Sequence, residues 1–155
     1  MKKPVLFNKN GFSLTELMVT IALFTILCLM AIPQFLRFAE NGNLRSATRD
    51  ITSDIMNMRE TALARGAQCR ITFNTGANNY ILTTPDGNMT KTPSNFSPDI
   101  VITNAGFFGG NPNSIAFQPR GTATNGTLTL RNARGSTATI TVNITGKTYA
   151  TFTMQ

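Results

Sequence analysis

Histidine is absent from this 155-residue chain. The commonest general base near neutral pH, which is also the commonest metal ligand, is therefore missing. Acidic residues are few, seven against fourteen Lys and Arg. The last two of them, Asp86 and Asp99, stand alone, one in a turn and one after a proline. Paired acid–base work has no support from such positions. No Ser or Cys stands beside a recognisable base, so nucleophilic catalysis lacks its constellation. The stretch Gly106 to Gly110 has no Gly-Lys-Ser/Thr, and so is no phosphate loop. Phe107 and Phe108 within it read as a contact patch or as packing. These absences argue against an enzyme, a metal site and a cofactor.

Cysteine is scarce as well, with only Cys28 and Cys69. Cys28 falls inside an apolar run and Cys69 lies far down the chain. If that run sits in a bilayer, the two thiols occupy different media and no intramolecular disulfide forms. Cys69 reads as a small buried hydrophobe.

What is present is positive charge, unevenly placed. The net charge is +7, and Lys2, Lys3 and Lys9 precede Phe12. From Arg65 onward seven basic residues face only Asp86 and Asp99, a local excess of +5. Two readings stand for that excess: a solvated basic surface, or a face for a polyanion.

Leu17 to Ile32 holds no charge, and only Thr20 and Thr25 interrupt its apolar character. A helix from Phe12 to Ile32 rises about 30 Å, the thickness of a hydrocarbon core. The basic residues before it predict a cytoplasmic start with the rest sent outward. An ordinary secretory signal peptide explains the run but lacks a small-x-small cleavage site after it. Such a signal would imply a secreted binding module or enzyme. A plain membrane anchor leaves Glu16 unexplained, since a carboxylate at the lip of an apolar segment is costly unless paired. Snorkelling of Glu16 to the interface is the plainest account of that residue.

The segment Gly11-Phe12-Ser13-Leu14-Thr15-Glu16, behind a basic leader and ahead of Pro33, resembles the class III leader site of type IV pilins and type II secretion pseudopilins. The resemblance implies cleavage by a prepilin peptidase between Gly11 and Phe12, followed by N-methylation of Phe12. It also implies that Glu16 and Pro33 serve assembly, Glu16 by pairing with the new N-terminal amine of its own or a neighbouring subunit. An unpaired charge there costs several kcal/mol, so pairing fixes register. The implied partners are other pilins or pseudopilins, the peptidase and the inner membrane, with the C-terminal domain periplasmic.

The chain divides accordingly: residues 1–11 as leader, 12–33 as a transmembrane and assembly helix, 34–65 as an amphipathic helix, and 66–155 as a β domain. Asn41-Gly42-Asn43 clusters poor helix formers and predicts a kink or local melting. Leu44, Ala47, Ile51, Ile55, Met58 and Ala62 then recur at spacings of three or four. Arg45, Arg49, Asp50, Asp54, Arg59 and Glu60 fill the other faces. The helix is expected to stop at Arg65-Gly66.

Period two takes over from Cys69. Strands are expected over 69–73, 80–84, 100–103, 114–117, 127–131, 137–144 and 148–152, the last three as a meander. Met89 to Pro98 reads as loop, as does Gly106 to Asn113. The threonines suit a pleated surface. The fold class is α+β, a pilin-like long N-terminal helix packed on antiparallel sheet.

Within that class the Ala-Arg-Gly helix end, the Ile-Thr-Phe strand, the segment Ile115 to Gly121 and the hairpin at Ile144 to Lys147 resemble the GspH/FimT branch. The expected role is a minor subunit that enters or primes the tip of a pseudopilus or pilus. Some members of that branch are thought to bind DNA through a C-terminal Gly-Arg-x-Arg. Here Gly146-Lys147-Thr148-Tyr149 keeps one charge and lacks the second arginine. Arg120, Arg131 and Arg134 are the other candidate contacts, and DNA is the weaker expectation.

Overall fold

The computed structural model describes residues 11–95, 97–109 and 111–155. The basic leader with Lys2, Lys3 and Lys9, and Gly110 of the glycine-rich stretch, lie outside the described residues. The chain forms two compact units, Met1–Leu36 and Arg37–Gln155.

One helix, α1, spans Leu14–Arg65. Ser13 precedes it, and its carbonyl accepts the Leu17 N–H at 3.1 Å, the first helical bond. The helix thus starts two residues later than expected, where a serine supplies a good N-cap. Pro33 lies inside it without ending it. Thr25 Oγ1 donates to the Ile21 carbonyl at 2.8 Å, and Thr20 Oγ1 donates to that of Glu16. Both hydroxyls are satisfied by their own helix, which suits an apolar medium.

The helix also runs unbroken through Asn41-Gly42-Asn43, against expectation. Tertiary bonds override the weak local propensity there. Glu40 Oε2 accepts Arg134 Nε at 2.6 Å, and Asn41 Oδ1 accepts Asn132 Nδ2 at 3.2 Å. At the other end Arg65 is the last helical residue, and Gly66 takes a φ of +61°. That left-handed cap is easy for glycine alone.

The Arg37–Gln155 body packs this helix on two four-stranded antiparallel sheets. In chain order the strands are β1 (Cys69–Asn74), β2 (Asn79–Thr84), β3 (Gly87–Lys91), β4 (Val101–Phe107), β5 (Ser114–Phe117), β6 (Gly126–Arg131), β7 (Thr137–Val142) and β8 (Thr148–Thr153). One sheet has the order β3-β2-β1-β5 and the other β4-β6-β7-β8. The expected C-terminal meander is β6-β7-β8, in the register Leu128↔Ile140 and Ile140↔Ala150.

Burial follows the pattern. Leu44, Ala47, Ile51, Ile55, Met58 and Ala62, the whole helical stripe, are buried. The strands β1, β2, β6 and β7 alternate buried with half-buried positions, whereas the outer strands β3 and β8 bury none. Ile71, Ile115, Leu128, Leu130 and Ile140 are fully enclosed. Each such side chain contributes about 1.5–3 kcal/mol on leaving water. The remaining face of the meander explains the threonines: Thr127 pairs Thr141 and Thr129 pairs Thr139 across the ladder. Phe73 of β1 stacks on Phe107 of β4, with ring centroids 5.8 Å apart, and so joins the two sheets.

Three local expectations need correction. Met89 to Pro98 is not all loop, because Gly87–Lys91 pairs with β2 and Pro93–Asn95 makes a 3-10 turn. Strand β4 does not stop at Thr103 but runs on through Gly106 to Phe107, with a bulge between Ile102 and Asn104. Asp54 does not face solvent. It is 7% exposed among the apolar stripe.

Candidate assembly and processing site

Gly11 and Phe12 are exposed and precede the helix. The Phe12 ring is 76% exposed. Glu16 falls in the first turn of α1, where the helix dipole favours a carboxylate. It is the only charged side chain from Phe12 to Leu36. Around it Leu17, Met18, Val19, Ile21, Leu23 and Phe24 are all exposed, and so is every side of the run. A helix apolar on all sides needs lipid or other helices around it. This stretch is long and apolar enough to cross a membrane. Cys28 also sits here as a free thiol.

The four basic candidates do not form one patch. Arg120 lies in the turn after β5 and Lys147 in the turn before β8, and both are exposed. The segments that carry them touch, since the Ala123 N–H donates to the Ile144 carbonyl at 2.9 Å. Arg131 ends β6 and Arg134 sits in the β6–β7 turn. That places them at the opposite end of the sheet, about 17 Å away along six strand residues. Arg134 is also paired with Glu40 at 2.6 Å.

Sequence reasoning missed a further member of the first pair. Arg59 Nε donates to the Gly121 carbonyl at 3.0 Å and lies against Gly146. A positive φ at both glycines, +81° and +74°, lets the two turns close on that side chain. The position of Arg59 off the apolar stripe gives no sign of this contact. Only the meeting of two distant turns reveals its place.

A second missed cluster surrounds Asp54. Its Oδ2 accepts the Tyr80 hydroxyl at 2.8 Å, and Lys91 Nζ bonds both carboxylate oxygens at 2.7 and 2.9 Å. Burial, and then the Asp54 hydrogen bond, push the Tyr80 hydroxyl far above its ordinary value. The Asp54 hydrogen bond raises Lys91, against a smaller lowering by burial. Both groups are held in their protonated forms, which suits a structural tie and not proton transfer. Burial likewise pushes the Cys69 thiol up. Among the described residues no three His, Cys, Asp or Glu side chains gather as a metal site.

A helix that opens on a long apolar run holding one carboxylate, and whose second half packs on antiparallel sheets, defines a class: this is a pilin-like subunit. Two family models match. The prokaryotic N-terminal methylation motif covers residues 6–32, and the model for type II transport protein GspH covers residues 47–146. The second spans more than half of the chain, and the chain belongs to the GspH family. That family is structural rather than enzymatic. Comparison with curated proteins and with solved structures returned no match.

Proposed function

We propose that this chain is a minor pilin-like subunit, made as a precursor and processed before assembly. A prepilin peptidase cuts between Gly11 and Phe12, and Phe12 is then N-methylated. The helix holds the chain in the inner membrane, with the residues after Pro33 on the periplasmic side. From there it enters or primes the tip of a type II secretion pseudopilus or a pilus beside other pilin-like subunits. The observation that carries this reading is the lone carboxylate of Glu16, in the first turn of a helix whose stretch to Leu36 is otherwise uncharged and exposed on its sides. A charge in that setting calls for a cation. Cleavage beside Phe12 creates one four residues away in sequence.

The test is the mass of the mature chain. The expected N-terminus is methylated Phe12, and Gly11→Leu leaves a longer, unmethylated precursor in the membrane. A chain beginning near Gln34 favours an ordinary signal peptide instead. A Gly11→Leu protein that still migrates as the mature form overturns the cleavage site. The nucleic-acid reading has less behind it, because Arg131 and Arg134 lie away from Arg120 and Lys147, and Glu40 neutralises Arg134.

A further inference from the structure

Strand β8 is the outer strand of its sheet, bonded to β7, and among the described residues no strand or bridge lies on its other side. The Asn143 N–H donates to the Lys147 carbonyl at 2.9 Å, which sets the alternation of the ladder. Tyr149, Thr151 and Thr153 therefore exchange bonds with β7. Thr148, Ala150 and Phe152 turn their N–H and C=O groups outward.

Exposed edges are normally protected by a charge, a proline or a bulge. Of the other three outer strands, β3 carries Lys91 and is followed by Pro93, β4 holds a bulge between Ile102 and Asn104, and β5 is only four residues long with Pro119 soon after it. The six residues of β8, Thr-Tyr-Ala-Thr-Phe-Thr, carry none of these devices. Its register with β7 is also unbroken. This edge is left open to pairing.

Beside the edge runs a trough. Its floor is Met56 of α1 with Ala150 and Phe152 of β8, and Thr48, Arg49 and Thr52 complete it in a cavity of about 370 Å³. Met56 and Phe152 are 48% and 39% exposed there. The rim is basic. The Arg45 guanidinium lies 6.0 Å from the centre of the Phe152 ring. Farther along, Arg59 and Lys147 line an adjoining groove in which Glu60 is the one carboxylate. Among the described residues Arg45, Arg49, Arg59 and Lys147 form no salt bridge. The Thr148 hydroxyl, in the same groove, is the one buried side-chain oxygen or nitrogen without a hydrogen-bond partner among them.

From this juxtaposition we infer that β8 and the facing side of α1 receive an extended, acidic segment of a partner polypeptide, which adds to β8 as a further strand. Backbone bonds to Thr148, Ala150 and Phe152 supply affinity, as in other strand-addition complexes. Alternate side chains of the guest fall over Met56 and Phe152, and its carboxylates meet Arg45, Arg49 and Lys147. Four cations outside any salt bridge, against one carboxylate, disfavour a basic guest.

The test uses the full chain in detergent and a fluorescent peptide of alternating glutamate and valine, read by anisotropy. Two control peptides replace every glutamate by lysine or N-methylate alternate backbone nitrogens. The glutamate peptide is expected to bind at least about tenfold more tightly than either control, and added salt weakens it. Ala150→Pro removes an outward donor without breaking the ladder to β7, so it abolishes binding while the far-ultraviolet circular dichroism is kept. Arg45→Glu with Arg49→Glu weakens binding about tenfold. Equal binding of the N-methylated peptide overturns strand addition without recourse to any protein variant. So does a duplex oligonucleotide that binds this rim when the glutamate peptide does not.

Discussion

Tyr80 of β2 and Asp54 of α1 share a hydrogen bond of 2.8 Å at a site where both side chains are almost fully enclosed. Lys91, part-exposed at 30%, closes the cluster from β3. The helix is thereby fastened to β2 and to the outer strand β3 of one sheet by charge as well as by packing.

The sign of its pH dependence follows from the two raised groups. Tyr80 and Lys91 both hold their protons in the folded chain beyond their ordinary values of about 10. Past that pH the unfolded chain releases protons that the folded chain keeps. The stability from the cluster is therefore complete below about pH 10 and is lost as pH rises further. Urea unfolding of the full chain in detergent is expected to show a level midpoint from neutral pH to about 9 and a fall above 10. Asp54→Ala costs about 2 kcal/mol at neutral pH, less than a wholly buried pair because Lys91 reaches water. It also flattens the alkaline fall, and an unchanged fall in that variant places its source elsewhere.

Asn78 is a second fastening, between the sheets. Its φ of 49° is left-handed, its Nδ2 donates to the Ile100 carbonyl at 2.8 Å, and its Oδ1 accepts the Ile102 N–H at 2.9 Å. The side-chain amide thus imitates a strand along the edge of β4. Asn78→Gly keeps the backbone angle and loses both bonds together with that from Nδ2 to Ser94 Oγ at 3.0 Å, so a loss of about 2 kcal/mol is expected. Asn78→Asp sets a carboxylate oxygen against the Ile100 carbonyl and is expected to cost at least as much. A glycine variant as stable as the parent would show that the bonds contribute nothing.

Gly146 tests the closure over Arg59. A Cβ there would strike the Arg59 side chain and lie 3.0 Å from the Gly121 carbonyl, at a φ of +74°. Gly146→Ala is expected to cost about 2 kcal/mol through backbone strain and contact together. Arg59→Ala in the same background recovers the contact part. Thermal unfolding of the single and double variants, treated as a cycle, separates the two terms.

Glu16→Gln separates processing from assembly. Under the processing proposed above, the variant is expected to be cut and methylated as before, because Gly11 and Phe12 are unchanged. Its share in sheared filaments should fall about tenfold or more, since the new amine is left without a counter-charge in an apolar bundle. Equal incorporation of the variant removes the pairing role.

The sequence made the helical stripe fully legible, and all six of its residues are buried. Periodicity works there because the helix turns one face to two sheets. The same logic misread Asp54, which adjoins Ile55 on that face. Its partner Lys91 lies 37 residues away, in a strand with no apolar alternation to announce it. Strand β4 was cut short because Asn104 and Gly106 look like turn residues, whereas a bulge absorbs them. The return of β5 beside β1, and of β4 beside β6, leaves no local trace at all. For the candidate site, the pattern from Gly11 to Pro33 lies in one continuous stretch and could be read directly. The grouping of Arg59 with Lys147 depends on turns far apart in the chain.

Cys69 is fully enclosed in β1 and Cys28 lies in the apolar run, both as free thiols. No covalent cross-link therefore holds the Arg37–Gln155 body together. Its melting temperature should be indifferent to dithiothreitol, and its folding should ask nothing of an oxidase or a disulfide isomerase.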